Sequence, residues 1–202
     1  MTTTNASDVG VDTQTRERLM TVAVELFRRY SYEGTSLQMI ADEMGFTKGA
    51  IYHHFRTRED LLHAIVRPML ERLGAVVEAA QARRTPSARA EQMLKGYAAH
   101  LAANRNMASV LALDPGVLSV LRAKPEWNRI IGRQIALLAA PNPGASGLVK
   151  TSVVMAGLAA AVDPRVAEID DEALLEVLVD TGRRALGLRT PRHNGSSPSA
   201  RA

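Results

Sequence analysis

Within twelve residues, Thr47–Arg58 (TKGAIYHHFRTR) gathers two threonines, a lysine, a tyrosine, two adjacent histidines and two arginines. These are hydrogen-bond donors suited to an anion such as a phosphate, and they lack the nucleophile, base and orienting group of covalent catalysis. A metal site is the alternative for His53, His54 and His63. Adjacent helical residues point about 100° apart, however, and no second set of ligands lies nearby in the sequence. The chain has no cysteine, which removes thiolate catalysis and cysteine-ligated zinc. Gly144-Ala145-Ser146-Gly147 lacks the spacing and the preceding strand of a nucleophile elbow. There is no phosphate-binding loop or dinucleotide fingerprint. No catalytic residue, metal or cofactor is expected.

The elements that must position this segment are helices. Leu19, Val22, Ala23, Leu26, Phe27 and Tyr30 recur at spacings of three and four and predict an amphipathic helix over Thr15–Tyr30, closed by Gly34. Thr35-Ser36-Leu37-Gln38 has a capping-box pattern, and Leu37, Ile40, Ala41 and Met44 form the apolar stripe of a short second helix. Gly45 stops it. The turn Gly45-Phe46-Thr47 is tight, and Thr47 can cap a third helix running to about His54. Two short helices about a glycine-containing turn make a helix-turn-helix. Thr57 caps a fourth helix with Glu59 and Asp60 in its first turn, and Pro68 is expected to kink it.

The run Thr47–Leu62, extended back through Gly34-Thr35-Ser36 and Ile40-Ala41 to Ala23 and Leu26-Phe27, closely resembles the recognition segment of the TetR family of bacterial repressors. About fifty residues carry the resemblance; the rest matches only in helical texture. The resemblance implies an all-α protomer of about nine helices: a three-helix DNA-binding domain joined to a C-terminal helical domain for ligand binding and dimerisation. It also implies that Tyr52, His53, His54 and Arg58 occupy DNA-contact positions, with Tyr52, His54 and Arg58 expected on phosphates and Lys48, Ala50 and His53 facing bases. The residues make independent sense of this. Thr35, Ser36 and Thr47 sit at helix starts, where hydroxyls and free amides suit phosphate oxygens. Gly49 and Ala50 keep the front of the third helix thin enough to approach the major groove. Ile51 and Phe55 point into the core.

Charge alone does not identify the partner. The chain has 25 Lys and Arg against 21 Asp and Glu, yet residues 14–66 carry seven of each sign, so any DNA site must be a local patch. The expected organisation is a disordered arm over 1–13, the DNA-binding domain over 14–66, the helical domain over 67–188 and a disordered, arginine-bearing tail over 189–202. The N-terminus does not read as a signal peptide. The apolar run Val153–Val162 is too short for a membrane span of ~20 residues, and a cytoplasmic location is expected.

Beyond residue 82 the texture becomes Ala/Leu/Val-rich. Pro86 and Pro125 suit first turns, and two final helices are expected at about 145–161 and 170–188. Ser152, Ala156, Ala159 and Ala160 on one, and Leu174, Leu175, Leu178 and Leu186 on the other, suit a homodimeric four-helix bundle, the alternative being packing within the protomer. Only Tyr97 and Trp127 of the eight aromatics lie in this region, so a ligand pocket there should be mainly aliphatic. Candidate lining residues are Met93, Tyr97, His100, Leu101, Asn104, Met107, Trp127, Ile131 and Met155, for a largely apolar effector. The expected function is a repressor released from a palindromic operator by a small molecule. Alternatives are a ligand-independent regulator, an activator of the same fold and, from another class, a helical enzyme.

Overall fold

Capping residues set the order of the helices. In a computed structural model, which describes residues 6–163, 165 and 169–188 (the side chains of residues 6–11, 48, 109 and 112 excepted), every described element is helical. These are α1 (Ala6–Tyr30), α2 (Leu37–Met44), α3 (Lys48–His54), α4 (Arg58–Gln81), α5 (Pro86–Ala102), α6 (Arg105–Leu113), α7 (Pro115–Arg122), α8 (Pro125–Ala139), α9 (Ala145–Ala161) and α10 (Asp171–Leu186). The expected count of about nine becomes ten among the described residues, because Asp114-Pro115 ends one short helix and opens another. Asp114 Oδ1 accepts from the Gly116 and Val117 amides, and Pro115 needs no amide partner at the first helical position.

The helix-turn-helix forms as its caps predict. Ser36 Oγ accepts from the Met39 amide and Thr47 Oγ1 from that of Ala50. Gly45 takes the left-handed conformation, φ 68°, that ends α2. Thr57 and Asp60 form a reciprocal capping box for α4.

Two expectations change. Helix α1 begins at Ala6, so residues 6–13 of the expected arm are helical. The Asp12 carboxylate of this extension lies 3.4 Å from His54 Nδ1. Residues 1–5 and the tail 189–202 lie outside the described residues. Helix α4 also continues past residue 66, so the expected boundary falls inside a helix, and Pro68 sits within it, lacking the amide for one helix hydrogen bond.

Two apolar clusters organise the packing. One joins α1–α4 but also takes Met107, Val110, Val117 and Leu121 from α6 and α7. The other is built from α4, α5, α8, α9 and α10, and Trp127 packs against both. Leu174, Leu178 and Leu186 of α10 are buried inside the protomer. The leucine stripe expected at a dimer interface is therefore mostly spent on the protomer's own core. Leu148, Val149, Val153 and Val177 are the large apolar side chains that α9 and α10 leave exposed.

Candidate nucleic-acid interface and ligand cavity

Helix α3 is held by its apolar side and offers the other to solvent. Ile51 and Phe55 are buried, while Gly49, Tyr52 and His53 are exposed and share a face; Arg56 is exposed just past the helix end. A Cβ built on Gly49 would approach only the Thr47 hydroxyl, at 4.0 Å, so the face is open there. Ser36 and Thr47 are exposed at their helix starts and Ala50 is half-buried beside them. The Lys48 side chain lies outside the described residues.

Three other candidates are placed differently. Thr35 is 1% exposed, and its hydroxyl donates to the Ser31 carbonyl at 2.8 Å, so it holds the α1–α2 turn and does not reach the exposed face. Arg58 Nη1 donates to the carbonyls of Tyr32 (2.7 Å), Thr35 (2.8 Å) and Glu33 (3.1 Å), and its guanidinium lies 4.9 Å above the Tyr32 ring. This side chain ties the start of α4 to the turn before α2. Its planar fork satisfies carbonyls that no helix bond reaches. His54 is half-buried, with Asp12 at its Nδ1 and its ring packed edge-on against His53.

Arg56, absent from the sequence-based set, lines a cleft with Arg16, His53, His54, His63 and Arg67. Arg16 stacks over the Phe55 ring at 4.9 Å. Contributions from α1, α3 and α4 converge there.

The second apolar cluster borders a half-open cavity of about 300 Å³. Tyr97, His100, Leu101, Trp127, Ile131 and Met155 line it as expected. Met93, Asn104 and Met107 do not. Met93 is fully buried in the core, and Met107 packs in the N-terminal cluster. Asn104 turns back to donate to the His100 carbonyl at 2.7 Å and accepts from Arg72 at 3.3 Å. The Tyr97 hydroxyl is likewise engaged, donating to the Met155 carbonyl at 3.1 Å, and burial pushes its pKa up. Burial, and next the nearby Arg72 charge, push the His100 pKa down. Gln134, which the sequence-based set omits, is wholly buried in the wall.

A carboxylate adds a polar tie between the cavity wall and the helix-turn-helix to the apolar packing already described. Leu111 of α6 and Leu118 of α7 line the cavity. Between them, Asp114 Oδ2 accepts from the Tyr32 amide at 2.6 Å. Tyr32 in turn lies under Arg58.

Residues 19–65 match the family model described as bacterial regulatory proteins, tetR family. The likeness to that family therefore lies in the N-terminal segment, 47 of the 202 residues. Among curated relatives, the HTH-type transcriptional repressor KstR2 of Rhodococcus jostii is 33% identical over 73 residues, 36% of either chain. The HTH-type transcriptional regulator AcrR of Shigella flexneri is 42% identical over 52 residues, 26% of this chain and 24% of that one. Similarity to these curated relatives thus covers about a third of this chain or less, and the chain spans about a third or less of their length. The fold extends further. A TetR-family regulator from Streptomyces coelicolor, SCO3833, superposes with a TM-score of 0.67 at 22% identity, over 86% of this chain and 91% of that one. The all-helical tetR-family architecture therefore holds for most of the chain.

Proposed function

We propose that the protein is a dimeric transcriptional regulator that binds a palindromic operator through α3 and is released from it when a small molecule fills the cavity. The exposed face of Gly49, Tyr52 and His53 on a helix anchored by Ile51 and Phe55, with the exposed Arg56 just past its end, carries this reading. It is thin at the front and carries donors further along, as insertion into a major groove requires. Ser36, Thr47, Tyr52 and Arg56 are the proposed phosphate contacts, and Lys48, Ala50 and His53 the base-facing positions. In a dimer, two such helices about 34–36 Å apart would read half-sites one DNA turn apart. The exposed Leu148, Val149, Val153 and Val177 supply the dimer face.

Release follows if filling the cavity moves α6, α7 or α4. Asp114 would pass movement of α6 and α7 to Tyr32, and α4 belongs to both clusters. Operator affinity then falls by the coupling between the two sites, ~1–3 kcal/mol in typical cases.

A gel shift on the DNA flanking the protein's own gene, in excess nonspecific competitor, tests the reading. A band at nanomolar protein is expected, with affinity falling steeply with salt as counterions are released. Tyr52→Ala should weaken it by about tenfold, the effect of one lost contact worth ~1.4 kcal/mol. Undiminished affinity in Tyr52→Ala would refute the assigned face. Val153→Glu should yield monomers in sedimentation and abolish the shift; a dimer that survives places the interface elsewhere.

A further inference from the structure

The side chain of Gln134 is 0% exposed, and neither its amide oxygen nor its amide nitrogen has a hydrogen-bond partner among the described residues. Helix α8 surrounds it with the buried Ile130, Leu137 and Leu138, and the side chain forms part of the wall of the 300 Å³ cavity. An amide buried without partners is a standing cost that a leucine of similar volume would avoid. Its polar atoms become favourable only when something inside the cavity pairs with them. Of the other polar groups of the wall, the Tyr97 hydroxyl is engaged with Met155, and Arg122 and Ser152 lie where solvent reaches them.

We propose that Gln134 is the polar anchor of the effector site, and that the effector is a small, uncharged, mainly apolar molecule bearing a carboxamide or lactam. The class follows from the chemistry of the anchor, which presents an N–H donor and a carbonyl acceptor side by side. A carboxamide or lactam returns one of each, so a single ligand group satisfies both buried atoms. A carboxylate offers acceptors only and meets no buried cation among the lining residues described, while burial keeps His100 inclined to the neutral form. The volume lies at the lower end of ligand cavities, ~300–1,000 Å³, and limits the apolar body to about one ring and a short chain. The inference rests on the reading of this cavity as the effector site.

The test uses the full-length protein and a matched pair of probes, 3-phenylpropanamide and butylbenzene, which have similar shape and differ in the amide. Each is titrated by calorimetry into wild type, Gln134→Leu and Gln134→Met, and operator affinity is measured in the same samples. Wild type should bind the amide at least about tenfold more tightly than the hydrocarbon, as one buried hydrogen-bonding group provides. Both variants should reverse that order, with Tm unchanged or raised. The second variant serves if the first does not fold. An amide preference that is absent in wild type, or that survives both substitutions, overturns the proposal. So does a Tm lowered by more than a few degrees in both, since the amide would then be paired within the protein. If butylbenzene alone releases the operator whatever stands at position 134, the cavity remains the effector site and only the amide assignment falls. If neither probe binds while operator binding persists, the proposed anchor and the effector-site reading both fall.

Discussion

Polar side chains beside the helix-turn-helix and the Gln134 amide beside the cavity are used in opposite ways. Around the helix-turn-helix, groups that a linear reading assigns to a partner are used to hold the protein's own shape. Arg58 braces three carbonyls, Thr35 closes a turn and His54 meets Asp12. Around the cavity, Gln134 has the reverse character: it is buried as deeply as any leucine, yet neither amide atom is paired with another described residue. A surface that must meet DNA at a fixed angle needs a rigid frame, and polar side chains near it serve as struts. A cavity that must respond to a ligand needs a buried polar group whose pairing remains to be made. Residue type alone does not separate these roles; the deciding fact is what else lies within hydrogen-bond reach.

The largest effect that would sharpen this contrast comes from Arg58. Replacing it with alanine removes charge-assisted bonds to the Tyr32, Glu33 and Thr35 carbonyls and the stacking on Tyr32. Stability should fall by about 3 kcal/mol, or roughly 6–12 °C in Tm for a chain of this size. Operator binding should be lost along with it. Arg58→Lys should recover only part, since an ammonium cannot reproduce the guanidinium fork. A variant with unchanged Tm and a salt dependence shallower by about one ion would instead make Arg58 a phosphate contact.

A smaller effect is expected at the joint between the halves. Asp114→Ala removes the cap of α7 and the bond to the Tyr32 amide, costing about 1–2 kcal/mol as cap losses do. Amide exchange at Tyr32 should accelerate well beyond that of the α4 core, and Asp114→Asn should fall between. Exchange at Tyr32 that tracks global unfolding in all three proteins would show that the carboxylate is not the link.

Most of the helical frame could be read from local rules. Ser36, Thr47, Thr57 and Asp170 cap the helices they precede, and Pro86 and Pro125 open theirs. Each depends on neighbours within four residues. The exposed face of α3 was legible for the same reason, because Ile51 and Phe55 fix which side is buried. What escaped were roles set at long range. Nothing near Arg58 in sequence announces the carbonyls some 25 residues before it, and nothing near Asp114 announces Tyr32, 82 residues away. Gln134 was missed because a lone glutamine among apolar residues looks like a solvent-facing position. Its burial depends on α5 and α9 packing against α8. The leucines of α10 carried a real apolar signal, but periodicity cannot say whether a stripe meets its own chain or a second copy.

The smallest predicted effect concerns His100, the titrating group of the cavity wall. Burial first, and then the positive Arg72, hold its pKa below the ordinary 6.5. Because the folded value is the lower one, the unfolded chain takes up its proton first as the pH drops. The stability associated with neutral His100 is thus complete above about pH 6.5 and is lost progressively below it, until the folded form is protonated as well. Wild-type Tm should decline more steeply between pH 7 and pH 5 than that of His100→Gln, which keeps a hydrogen-bonding side chain and cannot titrate. Carboxylates held in ion pairs, such as Glu91 against Arg183, keep contributing until the pH is well below 5, because that pairing lowers their pKa. The difference between the two curves therefore isolates the histidine. Parallel curves would mean that His100 is solvated in the folded protein, and that this side of the cavity is wet where the Gln134 side is dry.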